Sequence, residues 1–417
     1  MIDFNLILNN NKYIYVKMKT RNIFINLPII FSLLVCRKRK LHEMQFLQRK
    51  KKNILKSKMN HAIKVNFIQN IREVIHRKKQ RLFILENQVY RISLFIPNLV
   101  ENNLVLGRSD TFNLNVKKTI FKRSVNFIYQ NHLDIGINCN IIDISRGVKV
   151  ASPRFVFLKK QGALLNRALQ NYIMDVHLFQ GDVEMNVPIL ARERSLLGTG
   201  QIPKFKDDLF QSPYKFRTLF LIPTAEVPLT NYYANNNINS QSLPIRFYAY
   251  SPCFRREAGT SSKNTLGMIR MHQFEKIEMV RFCDKLSSSF ELKRMINTVL
   301  KILKTLEIPC KIIKICSGDI GFSASETYDI EVWLPSRKMF YEISSCSICS
   351  DFQSRRANIK YKDRQSGKNE LAFTLNGSAL PLGRTIVALL ENHQNKNGGI
   401  NIPKCLWSYT NGIKTIG

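Results

Sequence analysis

Seven apolar residues between positions 68 and 92 constrain this chain most. Ile68, Ile71, Ile75, Leu82, Leu85, Val89 and Ile92 keep alternating spacings of three and four, with Lys78 as the one break. That pattern is the seam of a coiled coil, and a helix carrying such a stripe needs a second helix to cover it. Leu41, Met44, Leu47, Ile54 and Leu55 supply a weaker stripe upstream, and residues 58–64 are the candidate turn. Two antiparallel helices, from Arg37 to about Ile92, are therefore expected to form a long arm. Pro97 closes it, because proline cannot continue helical hydrogen bonding.

The arm is strongly basic. Between Arg37 and Arg81 sixteen Lys or Arg stand against two acids, Glu43 and Glu73. Most charge runs are solvated helix faces, yet like charges at neighbouring helical positions cost stability, and this excess goes beyond what solubility requires. The whole chain carries a net charge of +34, which calls for an acidic partner, nucleic acid first and an anionic membrane second. Abundant Lys, Asn and Ile, as in proteins of AT-rich genomes, add to the charge independently of function. The chain of 417 residues is long enough for two domains.

Targeting and metal signals are weak. Residues 23–36 are apolar and follow Lys17, Lys19 and Arg21, but they fall short of the ~20 residues that span a bilayer. Pro28 interrupts them, and no small-residue cleavage site follows. No membrane is expected, and the cytoplasm is the expected location. The nine cysteines show no disulfide-like framework, which suits a reducing compartment. Cys346-Ser-Ile-Cys349 has no second ligand pair at finger-like spacing, so it reads as structural or incidental and zinc is not expected.

Residues 251–278 carry the chemistry-bearing pattern. Tyr248 to Phe254 and Met268 to Met279 read as two strands around a polar, glycine-containing loop. Strand alternation puts Arg270, His272, Phe274, Lys276 and Glu278 on one face. Cations, a ring and a carboxylate on one face could bed a phosphate-bearing nucleotide beside a small amine. Taken alone, a salt-bridged surface hairpin is the simpler reading.

This stretch resembles the second signature motif of class II aminoacyl-tRNA synthetases, in the form found in the seryl-tRNA synthetase family. Two further blocks agree in order: Thr224-Ala225-Glu226 upstream, and Thr374-Leu375-Asn376-Gly377-Ser378 with Gly383-Arg384 downstream. Three concordant blocks are far more specific than one short pattern. The opening Met1-Ile2-Asp3 also looks like the start of bacterial members. The resemblance implies an α+β fold, with an antiparallel sheet flanked by helices and preceded by the coiled-coil arm. It implies residues 1–100 as a tRNA-binding domain, 101–150 as a linker and start of the catalytic domain, and 151–417 as the catalytic domain. Residues 100–150 themselves look irregular and polar.

The reaction it implies is activation of serine by ATP, then transfer of the seryl group to tRNA(Ser), also tRNA(Sec) where present. The arm would grip the long variable arm of the tRNA. The helix at 164–179 with Val187-Pro188 would build a homodimer interface. Arg255 and Arg384 would be catalytic, Arg255 on the α-phosphate and serine carboxylate and Arg384 near the γ-phosphate. ATP would further contact Arg256, Glu257, Phe274, Glu342, Ile343, Ser344 and Ser345, with Glu257 on the adenine amine and Phe274 under the ring. Glu342 and Ser345 would hold Mg2+. L-serine would meet Thr224, Ala225, Glu226, Glu278 and Ser378. Ser262, Leu266 and the run Ala379-Leu380-Pro381-Leu382 depart from the family pattern, implying altered loop closure and, at Pro381, a disturbed backbone. The alternatives left standing are a tRNA-binding paralogue without catalysis and an amino-acid ligase of the same fold acting on another carrier.

Overall fold

The computed structural model of the chain describes residues 1–119, 127–258, 267–364 and 366–417. Ser262 and Leu266 lie outside the described residues. The chain divides into two units, Met1–Leu99 and Val100–Gly417.

In the first unit, helix α1 (Leu27–Lys56) packs along helix α2 (His61–Ser93). The pair is antiparallel, because Arg37 meets Glu86 at 2.8 Å while Glu43, farther along α1, meets Lys78 at 2.5 Å. Lys78, the break in the seam, is thereby explained: its ammonium crosses to a carboxylate on α1. Six of the seven seam residues are buried; Ile92 is the exception, 36% exposed. On α1, Leu41, Met44, Leu47 and Ile54 are half-buried and Leu55 is exposed. The turn is shorter than residues 58–64: α1 ends at Lys56, and the Asn60 side chain already caps α2 by accepting the Ala62 N–H. Nor does Pro28 interrupt the apolar stretch. It lies in the first turn of α1, where its missing N–H has no helical partner to lose, and Ile30 and Leu34 behind it are buried with Leu85 and Val89.

The second unit is built on an eight-stranded sheet. Its strands are β1 (Leu114–Thr119), β2 (Val183–Glu184), β3 (Ile245–Phe254), β4 (Gln273–Cys283), β5 (Cys310–Lys314), β6 (Glu326–Leu334), β7 (Met339–Ser350) and β8 (Phe373–Pro381). Their spatial order is β1-β5-β6-β7-β8-β4-β3-β2. All neighbours are antiparallel except β2 beside β3. Residues 100–150 are not irregular throughout. They hold β1, helix α3 (His132–Asn138) and a helix at Ile144–Ala151, elements too short to show a period in the sequence.

Strand alternation decides where chemistry goes. On β4, Ile277 and Met279 point into the main core with helices α4 (Gln161–Phe179), α5 (Ser288–Thr305) and α6 (Leu382–Asn392). Phe274, Lys276 and Glu278 point to the other face, and Val280 and Phe282 continue that face into a second core. Gly377 on β8 shows how tightly the helical layer sits: a Cβ there would lie 2.8 Å from both Cys346 Sγ and Met295 Cε. Pro381 does not disturb the backbone. It ends β8 and caps α6 at φ −79°, the value its ring supplies, and its carbonyl accepts the Thr385 hydroxyl at 2.8 Å.

Candidate active site

A cavity of about 400 Å³ opens on the face of β4 away from the helices. Eleven of the fourteen residues to which the resemblance gives a site role line it: Thr224, Glu226, Arg255, Glu257, Phe274, Glu278, Glu342, Ile343, Ser345, Ser378 and Arg384. Three do not. Ala225 is fully buried in the second core, Ser344 is buried and gives its hydroxyl hydrogen to the Ser378 carbonyl, and Arg256 is exposed, its N–H bonded to the Asp208 carbonyl.

The expected face of five residues is shorter than its pattern. β4 begins at Gln273, and Gly267–Ile269 forms a 3-10 turn. Arg270 still lines the cavity, but from this turn. His272 does not; its ring packs near Phe155 and Phe210, and its Nδ1 meets the Arg255 carbonyl at 3.0 Å.

One end of the cavity is acidic and buried. The Thr224 hydroxyl donates to Glu278 Oε2 at 3.1 Å and accepts from Lys276 Nζ at 3.0 Å. Lys276 also pairs directly with Glu278. Glu226 receives Gln353 Nε2 at 2.6 Å. Burial first, and the Glu278 charge second, push the Glu226 carboxyl up to about 7, against hydrogen bonds from Gln353 and Asn376. Two carboxylates share one ammonium here, so the end is short of positive charge by one. A small ligand bearing an ammonium would supply it.

The other end is cationic. The Arg255 guanidinium lies over the Phe274 ring at 5.2 Å and donates from Nε to the Pro223 carbonyl. Arg270 reaches Glu257 at 3.0 Å, and Glu257 sits at φ +49°, a conformation non-glycine residues hold only at a cost. Arg384 leaves the first turn of α6, donates to the Glu342 carbonyl at 2.8 Å and the Ile269 carbonyl at 3.3 Å, and covers Tyr341. A helix N-terminus and guanidinium groups together suit phosphate.

Between the ends stand hard oxygen donors. The Glu342 side chain is half exposed, and Ser345 lies two register positions from it on β7, across a bulge at Ile343. Asp329, across the strand from Ser345, has a buried Oδ1 without a hydrogen-bond partner. Burial first, and the Glu342 charge second, push the Asp329 carboxyl up to about 7. An excess of carboxylate with an unsatisfied oxygen fits a divalent cation. Among the described residues no group of three or more His, Cys, Asp or Glu is placed to hold a metal, so such an ion would rest largely on substrate oxygens and water. Cys346 and Cys349 are both buried and in no disulfide, and burial raises both thiols, Cys346 to about 12.

Lys276, Gln353, Asn376 and Gln201 also reach the site. Asn376 could have been found from its two-residue spacing to Ser378 on one strand. Gln353 lies in a short helix with no motif around it, and only the fold brings it to Glu226.

Comparison with known proteins agrees with this geometry. The model of the tRNA synthetase class II core domain (G, H, P, S and T) matches residues 210–393. The chain is 39% identical over 414 residues to a serine–tRNA ligase of Campylobacter jejuni subsp. doylei, covering 98% of this chain and 100% of that protein. It is 40% identical to one of Ehrlichia canis, with 100% of both covered. The crystal structure of seryl-tRNA synthetase from Pyrococcus horikoshii complexed with ATP superposes with a TM-score of 0.92 at 28% identity, covering 100% of this chain and 99% of that one.

Proposed function

The chain belongs to the serine–tRNA ligase family of class II aminoacyl-tRNA synthetases, and from that membership we infer that it activates L-serine with ATP and transfers the seryl group to tRNA(Ser). In the first step a serine carboxylate oxygen attacks the α-phosphorus of ATP. The α–β bridging bond breaks, and pyrophosphate leaves with the electron pair. In the second, a terminal ribose hydroxyl of the tRNA attacks the acyl carbon, AMP leaves, and the hydroxyl proton passes to a phosphate oxygen or water. Little covalent work falls to the protein; positioning and charge do most of it.

The residues divide that work by charge. Glu226, Glu278 and the Thr224 hydroxyl hold the serine ammonium, with Ser378 beside the substrate hydroxyl; Ala225 supports them from the core. Arg255 bridges the serine carboxylate and the α-phosphate with its planar fork. Phe274 offers the adenine platform and Glu257 accepts from the adenine amine, while Arg384 neutralises the terminal phosphates. Glu342 and Ser345 would hold Mg2+, which supplies charge neutralisation between the phosphates. Ile343 forms the bulge that lets Glu342 and Ser345 share a face, Ser344 ties that strand to β8 through the Ser378 carbonyl, and Arg256 lies at the rim.

Partner readings follow from the first unit and the surface. The basic arm suits the backbone of the long variable arm of tRNA(Ser), where each neutralised phosphate releases counterions. Exposed Leu178, Phe179 and Val183 next to the end of α4 suit a homodimer interface. No described helix is long and apolar enough to cross a membrane, and nine free cysteines suit the cytoplasm.

The observation that carries the reading is a single cavity with paired buried carboxylates at one end and Arg255 with Arg384 at the other. No feature of it favours a non-catalytic paralogue. The test is serine-dependent ATP–pyrophosphate exchange, with Arg255→Ala in parallel. Serine-specific exchange that drops by at least a hundredfold in the variant is expected; no exchange by folded, ATP-binding protein would sink the proposal.

A further inference from the structure

Building on the ATP-dependent reading above, we propose that His132 is a positioning residue for nucleotide binding, tying the Gly267–Ile269 turn to the helix that carries Arg384. His132 opens α3 and is 1% exposed, outside the cavity. Its Nε2 accepts the Met268 N–H at 3.4 Å. In neutral imidazole an accepting Nε2 leaves the hydrogen on Nδ1, and Nδ1 faces Glu391 Oε1 at 3.2 Å. The His132 backbone N–H donates to the same oxygen at 3.3 Å. Ser336 satisfies the other carboxylate oxygen through its N–H at 3.2 Å and its hydroxyl at 2.7 Å. Burial pushes Glu391 up, but the hydrogen bonds from His132 and Ser336 outweigh it and hold the carboxyl below its ordinary value. It therefore stays an acceptor for Nδ1–H.

Glu391 lies two turns along α6 from Arg384, and Arg384 Nε donates to the Ile269 carbonyl at 3.3 Å. The contacts close a ring: Arg384, α6, Glu391, His132, Met268, Ile269, and back to Arg384. Met268, Ile269 and Arg384 all line the cavity. The ring leaves no slack at Gly267. That residue sits at φ +75°, and a Cβ there would lie 2.4 Å from His132 Nε2. A core histidine serving packing alone has no need of an acceptor aimed at the backbone of the nucleotide-facing turn.

The two side-chain bonds can be removed separately, and only loss of the Met268 bond opens the ring, because the His132 backbone N–H still holds Glu391 Oε1. His132→Asn places its amide nitrogen near the Nδ1 position, keeping the Glu391 bond and losing the Met268 acceptor. His132→Gln places its amide oxygen near Nε2, keeping the Met268 bond and losing the Glu391 donor. Each variant loses one hydrogen bond, so a purely structural histidine predicts equal effects on melting temperature and on ATP affinity.

The expected result is a split in the ATP dissociation constant measured by isothermal titration calorimetry. His132→Asn should weaken ATP about fivefold, the scale of one net hydrogen bond. His132→Gln should stay within about twofold of the parent, and the serine KM should be unchanged in both. Should His132→Asn fail to fold, Gly267→Ala pushes the turn off Nε2 while leaving the histidine in the sequence and is expected to weaken ATP similarly. Equal ATP affinity in the Asn and Gln variants, or a parent-like Gly267→Ala, overturns the inference. Serine-dependent exchange by the parent is read alongside: its absence with ATP binding intact defeats the functional reading alone, and the His132 comparison still reports.

Discussion

Serine binding should release a proton, and the proton should come from Glu226. Burial and Glu278 lift this carboxyl from 4.5 to about 7. The arriving ammonium replaces the missing positive charge and favours the ionised form. With full restoration to the ordinary value as the upper bound, the rise of about 2.5 pH units corresponds to about 3 kcal/mol. The free protein would then hold about 0.9 proton on Glu226 at pH 6 and about 0.1 at pH 8, against almost none in the complex. Serine should accordingly bind about tenfold more weakly at pH 6 than at pH 8. The folding sign is opposite: the folded chain holds the proton more tightly than the unfolded one, so Glu226 costs stability progressively as pH rises from about 4.5 through 7. Calorimetry of serine binding in buffers of different ionisation heat counts the protons directly. Glu226→Gln keeps the oxygen that Gln353 bonds, so it should bind serine more weakly, release no proton and show a flat profile between pH 6 and 8. A parent with no pH dependence, or a variant with the parental slope, refutes the reasoning.

Neutralising the exposed Arg49, Lys50 and Lys52 of α1 with glutamine should leave serine-dependent exchange unchanged. It should lower the slope of log affinity for tRNA(Ser) against log salt by roughly 0.7–0.9 for each lost phosphate contact, read by filter binding from low to physiological salt. An unchanged slope removes these residues from the tRNA surface. Chelation of divalent ions should abolish exchange, and Glu342→Gln should raise the Mg2+ concentration for half-maximal exchange about tenfold; a superimposable Mg2+ titration counts against Glu342 as a ligand.

What could be read from the sequence was set by how local each signal is. The seam of α2 was legible because positions three and four apart share a helix face, and the same reasoning marked Lys78 as a break. Its remedy was not legible, since Glu43 is 35 residues away on α1. Phe274, Lys276 and Glu278 were legible as one strand face, because alternation holds wherever a strand exists. Arg270 and His272 would share that face only in a strand that began five residues earlier, at Met268. The turn at Gly267–Ile269 breaks the alternation and sends His272 to Phe155 and Phe210. The acid pair was legible as residues through resemblance, but not its electrostatics. Glu226 meets Gln353 across 127 residues, and its raised pKa depends on burial that no local pattern reports.

On the proposed assignment, the charge layout of the cavity would also set the orientation of the amino acid. A free amino acid is a zwitterion, and its two charges lie on adjacent carbons, so a site with opposite charges at its two ends can accept it in only one sense. On the proposed assignment, with the ammonium at Glu226 and Glu278, the carboxylate would turn toward Arg255, the end proposed to hold the phosphates, and the side-chain hydroxyl would be left to Ser378. Reversed binding would set the carboxylate against two buried carboxylates, where Coulomb repulsion in a medium of reduced dielectric is several times stronger than in water. Lys276 limits this device without cancelling it: by pairing with Glu278 it keeps the acid end from carrying two uncompensated charges while empty, and it leaves Glu226 as the group whose ionisation follows the ligand. On this proposal the same carboxylate that selects the ammonium would also report its arrival.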